Sequence, residues 1–159
     1  MRGRILVLVG SRTPQTAEQV RKLLQSAGAE RFPAPDGVVA VEALAKSRAD
    51  MLVIQATAEG GATQTDSEEV ARRLGEGAAA LLARGDFAAL IVTGGDTAVA
   101  LLQRLQQPAL RVMGTLLPGI PYSKVSGPQG DIVVVTKSGG FGAPDSFHTI
   151  ASRLRSSDA

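Results

Sequence analysis

The chain has no cysteine and no tryptophan, one tyrosine, four phenylalanines and a single histidine. Without cysteine there is neither a disulfide framework nor a thiolate metal site, and one histidine rules out a histidine-cluster metal site. A metal would have to arrive with a phosphate-bearing ligand. An excess of one charge is also missing. The 17 Lys and Arg against 15 Asp and Glu leave a formal charge of +2, spread along the chain, so nothing resembles the basic stripe of a nucleic-acid surface. Long hydrophobic runs are lacking too. The longest, such as 5–9 and 132–135, are strand-sized and far below the ~20 residues a membrane span needs. The N-terminus carries no signal-peptide-like apolar stretch, so the expected location is the cytoplasm.

What remains is a chain of 159 residues, 44% hydrophobic and with 18 glycines, whose apolar content is aliphatic. That suits one tightly packed α/β domain over residues 1–159.

Ile5 to Val9 is a β-branched and leucine run that stops at Gly10-Ser11-Arg12. Val20, Leu23, Leu24 and Ala27 then recur at helical spacing. A weaker helical pattern through Val38, Val41 and Leu44 or Ala45 predicts a helix over 36–49, with Asp36 as its N-cap. Met51 to Ala56 reads as a second buried strand. After the Gly/Ala/Thr-rich stretch 57–65, Thr65 and Glu68 have capping-box spacing. The helix this starts buries Val70, Leu74, Ala78, Leu81 and Leu82 and closes at Gly85-Asp86, ahead of a strand at Ala88 to Thr93. The next helix places Ala98, Leu101, Leu102 and Leu105 on one face and ends by Pro108, before a strand at about 110–116. Leu117 to Gly130 reads as a loop. Ile132 to Thr136 is the last strand, and Phe147, Ile150, Ala151 and Leu154 line the last helix.

Continuous apolar strands alternating with amphipathic helices predict a three-layer α/β fold, with a largely parallel sheet and helices on both faces. Ligands of such sheets sit beyond the carboxyl ends of the strands. Three strands end in glycine-containing turns, at 10–12, 94–97 and 138–142, and these are expected to share one cleft.

Val92-Thr93-Gly94-Gly95-Asp96-Thr97 is the most informative of them. Paired glycines let backbone approach a phosphate, and the following helix offers free N–H groups at its positive end. The alternative is that Asp96 or Thr97 merely caps the helix. In Lys137-Ser138-Gly139-Gly140-Phe141-Gly142, close backbone approach is again possible. Lys137 could neutralise phosphate, and Phe141 could pack on an adenine or ribose; alternatively the glycines only shape a turn. Ser11 could add a hydroxyl and Arg12 an anion contact, or Ser11 could be a simple turn residue. Neither a P-loop nor a Rossmann fingerprint is present. His148, without a partner at ligand spacing, reads as structural or solvated.

Taken together these segments resemble the C-terminal domain of the four-carbon acid sugar kinases. The match is collinear: Gly10-Ser11-Arg12, then Val92 to Thr97, then Leu117-Pro118-Gly119-Ile120-Pro121, then Thr136-Lys137-Ser138-Gly139-Gly140-Phe141-Gly142-Ala143-Pro144-Asp145. The resemblance implies ATP, with Mg²⁺ accompanying it, bound by Ser11, Gly94, Gly95, Asp96, Thr97 and Gly140. Lys137 and Gly139 join them from the reading of the glycine turn. It also implies phosphorylation of an acid such as threonate, erythronate or an oxo-tetronate. Asp96 is the candidate catalytic residue, either holding the metal through water or accepting the hydroxyl proton. Family members carry a preceding domain that supplies most of the acid-sugar site. The expectation is therefore a nucleotide-binding half, inactive alone, which needs that domain or a separate subunit; a homo-oligomer is also allowed. The competing reading is a non-catalytic module that binds a nucleotide or other anion, or one whose turns are purely structural.

Overall fold

The computed structural model describes residues 3–57 and 65–156. Four strands form the parallel centre: β1 (Arg4–Val9), β3 (Met51–Thr57), β4 (Phe87–Thr93) and β7 (Gly130–Lys137). β2 (Ala29–Pro35) adds a parallel edge beside β3, while β6 (Ile120–Gly127) joins antiparallel to β7 and β5 (Val112–Leu117) antiparallel to β6 at the other edge. The order is β2-β3-β1-β4-β7-β6-β5 in one seven-stranded sheet.

Ile5 to Val9 are all buried because alternate side chains enter different layers. Leu6 and Leu8 join Leu52, Ile54, Leu90, Val92 and Val134 in a core closed by α2 (Val41–Lys46), α3 (Ser67–Ala83) and α4 (Gly95–Arg104). Ile5, Val7 and Val9 join Val53, Ile91 and Val135 in a second core, beneath α1 (Pro14–Leu23) and α5 (Ser146–Ser156). The three-layer α/β fold expected from the alternating pattern is the fold observed. The predicted stripe of α3, Val70, Leu74, Ala78, Leu81 and Leu82, is buried in full.

Four local expectations need correction. The helix predicted over 36–49 is only α2, and Asp36 does not cap it. Asp36 and Gly37 both have positive φ, 50° and 85°, and form the turn that leaves β2, so the helix cannot start until that turn is complete. β2 itself was not predicted. Its Pro33 and Pro35 argue against a central strand, but β2 lies at the sheet edge, where a missing N–H is tolerated. The loop expected over 117–130 is β6 between two tight turns. Its Pro121, Ser123, Lys124 and Ser126 conceal a strand that buries Ile120, Ser123 and Val125. Finally, α3 is capped by Asp66, whose carboxylate accepts from the Glu68 N–H at 3.3 Å, so Thr65 lies one residue ahead of the cap. Most of the Gly/Ala/Thr-rich stretch, 58–64, lies outside the described residues.

One contact in this layer bears on the site. A Cβ on Gly75 would lie 2.8 Å from the Leu101 nitrogen and 2.9 Å from the Ala100 carbonyl carbon, so α3 and α4 cross with backbone against backbone. Gly75→Ala would gain up to ~1 kcal/mol of helix propensity. Overpacking against unyielding main chain costs about 1–3 kcal/mol and should dominate. We expect a lower urea midpoint with an unchanged m-value; a midpoint at or above that of the wild type would show that the helices can separate freely.

Candidate functional site

The last residues of three adjacent strands are register partners: Val9 pairs with Thr93, and Thr93 with Lys137. The chain therefore leaves β1, β4 and β7 side by side. Cross-links continue past the sheet: Gly10 N–H donates to the Thr93 carbonyl at 3.1 Å and Gly94 N–H to the Lys137 carbonyl at 3.3 Å. The Thr93 hydroxyl donates to the Gly139 carbonyl at 3.1 Å. All three glycine turns thus meet at one edge of the sheet.

In the middle turn, Gly94 has φ 100°, a conformation that penalises any side chain. It occupies the N-cap position of α4 without a side-chain cap, so the first N–H groups of the helix remain available to a ligand. A Cβ on Gly95 would meet nothing within 4 Å, which marks the open side of the turn. Asp96 follows, exposed in the first turn of α4. It borders a groove of about 600 Å³ between the starts of α3 and α4, shared with Asp66, Glu68, Arg72 and Gln103. The Thr97 side chain points elsewhere: it is 4% exposed, and its Oγ1 occupies the space that a Cβ on Gly10 would need. Thr97 can therefore offer its backbone N–H to the cleft, while its hydroxyl packs under the first turn.

In that first turn, Ser11 is half-buried. Its hydroxyl lies 2.8 Å from Thr16 Oγ1 and 3.4 Å from Thr13 Oγ1. Thr13 caps α1 by accepting from the Thr16 N–H, so a second helix N-terminus begins at the same edge. Arg12 is exposed beside it.

The third turn, 138–142, leans over the first. A Cβ on Gly139 would come within 3.7 Å of Ser11 Oγ, and one on Gly140 within 3.1 Å of Thr13 Oγ1. Lys137 is 3% exposed. Its ammonium donates to the carbonyls of Ser138 (3.2 Å), Gly139 and Phe141 (2.8 Å) and lies 5.2 Å from the Phe147 ring centre. All three of its protons are used inside the loop. Direct neutralisation of a bound phosphate by Lys137, as expected from the sequence, does not match this arrangement, because burial and the carbonyls hold the charge beneath the turn.

Phe141 is 48% exposed and lies against Gly119, where a Cβ would approach its Cζ to 2.7 Å. With Leu117, Pro118, Ile120, Ala143 and Thr149 it borders a slot of about 260 Å³ on the outer side of the same turn. His148 Nδ1 lies 2.7 Å from the Ser26 hydroxyl, which ties α5 to the end of α1 and fits the structural reading.

Sequence reasoning missed Thr13, Thr16 and Gln19. The Gln19 amide, 1% exposed, donates to the carbonyls of Phe141, Gly142 and Ala143 at 3.1–3.2 Å. The available signal was that Thr16 and Gln19 interrupt the apolar stripe completed by Val20 and Leu23. Polar residues on a buried face need partners.

Among the described residues no cluster of three or more His, Asp or Glu could hold a metal, and no helix is long and apolar enough to cross a membrane.

Residues 6–147 match the family described as "Nucleotide-binding C-terminal domain". The chain is 38% identical over 128 residues to the D-threonate kinase of Bordetella bronchiseptica, covering 80% of this chain and 29% of that protein. It is 39% identical over 77 residues to the 3-oxo-tetronate kinase of Cupriavidus necator, covering 48% of this chain and 17% of that one. A crystal structure of a Bordetella bronchiseptica protein described as a domain of unknown function, a domain-swapped dimer with bound citrate, superposes with a TM-score of 0.82. It shares 31% identity and covers 97% of this chain and 41% of its own. The matched part of the chain thus spans less than a third of the length of either kinase.

Proposed function

Because the chain belongs to the nucleotide-binding C-terminal domain family, we propose that it binds ATP across its three glycine turns and serves as the nucleotide half of a cytoplasmic four-carbon acid sugar kinase. The observation that carries this reading is the register match of Val9, Thr93 and Lys137. It sets the uncapped start of α4 between two further turns that expose backbone. Gly94, Gly95 and the N–H groups of Asp96 and Thr97 take the phosphates from one side, with Gly139, Gly140 and Ser11 on the other. The apolar slot beside Phe141 has room for a purine ring.

The reaction is transfer of the γ-phosphoryl group to a hydroxyl of a sugar acid, in which catalysis rests on positioning and charge stabilisation. Mg²⁺ comes with the nucleotide and offsets phosphate charge. An exposed carboxylate such as Asp96, next to phosphate oxygens and water, is the donor set this ion prefers. The chain spans 29% of the D-threonate kinase it resembles, so we assign acceptor recognition to residues outside it, and this chain alone binds ATP without turning over. The domain-swapped dimer of the Bordetella relative supports self-association as well.

Thermal unfolding with ATP and ADP, with and without Mg²⁺, tests the reading. Ligand at a hundred times its Kd should stabilise the fold by about 2.7 kcal/mol. Gly94→Val and Gly95→Val should each remove that stabilisation, the first through its φ and the second by filling the open side. Absence of stabilisation at millimolar nucleotide would overturn the proposal.

A further inference from the structure

Lys137 carries a charge that the reading above leaves without a role. Its neighbours give it one. The carbonyls of Ser138, Gly139 and Phe141 all point at its ammonium, and those of Phe141, Gly142 and Ala143 point at the Gln19 amide. A turn rarely directs so many carbonyls inward, because their dipoles repel unless a donor sits among them. The peptide bonds of the described residues are all trans, so the N–H that follows each carbonyl points the opposite way. The inward carbonyls of Ser138 and Gly139 therefore turn the N–H groups of Gly139 and Gly140 away from the ammonium. Neither donates to a backbone acceptor among the described residues, whereas the Phe141 N–H closes the turn onto the Ser138 carbonyl at 3.0 Å.

We propose that Lys137 is a positioning residue: it touches no ligand, but by gathering the carbonyls of 138, 139 and 141 it presents the Gly139 and Gly140 N–H groups to the phosphates of a bound nucleotide. The proposal rests on the nucleotide reading of the cleft. It differs from a phosphate-binding lysine in that the cation acts through peptide orientation. The groups facing the ammonium from the packed elements are neutral: Phe147 from α5, Gln19 from α1, and Thr93 from β4, which shares the Gly139 carbonyl. Burial lowers the lysine pKa from 10.5 to about 8, so at neutral pH all three protons are in place. One is lost in mildly alkaline solution.

The test is calorimetric titration of the wild-type chain and Lys137→Met with ADP, together with ¹H–¹⁵N spectra of both without nucleotide. Wild type should bind. Lys137→Met should bind roughly 10–100-fold more weakly, and its Gly139 and Gly140 amide signals should already be displaced in the free protein. In wild type, ADP affinity should fall as pH rises from 7 to 9.5, a window above the phosphate's own titration. If Lys137→Met does not fold, this pH series alone decides. Equal affinity in the variant, unmoved glycine amides despite weaker binding, or a flat pH profile would each overturn the positioning role. Failure of wild type to bind ADP at all would instead overturn the nucleotide reading.

Discussion

Asp96→Asn, in a complete two-domain kinase that carries this domain, is expected to lower kcat by at least ~100-fold, the lower range for removing a general base, with ATP affinity held within a few-fold. The separation follows from where Asp96 sits. It is the second residue of α4, exposed, and it follows the Gly94 and Gly95 backbone rather than replacing any part of it. Asn is nearly isosteric and tolerated in a first helical turn, so the N–H groups proposed to receive the phosphates stay in place. What changes is the charge and basicity of a group at the mouth of the cleft. The two roles open to Asp96 can be told apart in the same variant. Raising Mg²⁺ should restore turnover if the carboxylate holds the ion through water, because weakened ion binding is overcome by mass action. It should restore nothing if the carboxylate accepts the hydroxyl proton. Wild-type kcat in Asp96→Asn would eliminate both roles and leave the residue as part of the helix start.

The layers of this fold were legible in the sequence because its central strands are buried on both faces and read as nearly continuous apolar runs, Ile5–Val9, Met51–Ala56, Ala88–Thr93 and Ile132–Thr136, with Gln55 the one amide among them. The edges were not. β2 carries two prolines and β6 is rich in polar residues, since strands at or near the rim of the sheet bury less and lose the pattern that identifies a strand. The antiparallel end of the sheet was hidden for the same reason.

In the site, the turns announced themselves through glycine, and their common edge followed from the rule that parallel sheets collect ligands at their carboxyl ends. The direction of individual side chains did not. Thr97 and Lys137 both look like ligand-facing groups in sequence, yet one hydroxyl fills the space over Gly10 and the one ammonium is surrounded by its own loop. The first depends on a contact between turns far apart in sequence, and the second on how the loop folds its own carbonyls back over the lysine. Gln19 shows the converse: its role lies 122 residues away, at the Phe141 carbonyl, where no local pattern can reveal it.

Gly10→Ala should be the most damaging single-methyl change at the site. A Cβ there would lie 2.0 Å from Thr97 Oγ1 and 3.0 Å from Thr97 Cβ. Thr97 is 4% exposed and belongs to the first turn of α4; rotating its hydroxyl aside would still leave its Cβ at 3.0 Å, so full relief moves the helix start away from the end of β1. That is the spacing on which the proposed phosphate cradle depends. A displacement near 1 Å can cost about 100-fold in a process that requires exact placement, and we expect a loss of that order in ADP affinity. Overpacking should cost a further ~1–3 kcal/mol of stability, visible in the urea midpoint. Because the clash involves one identified partner, the effects must be non-additive. Thr97→Ala removes the oxygen at 2.0 Å but leaves the Cβ at 3.0 Å. Gly10→Ala/Thr97→Ala should therefore recover part, not all, of both the affinity and the midpoint lost in Gly10→Ala, with an interaction energy of about 0.5–3 kcal/mol. Additive losses in the double variant would mean that the added methyl acts on the β1 turn itself, and that α4 is not held in place through Thr97.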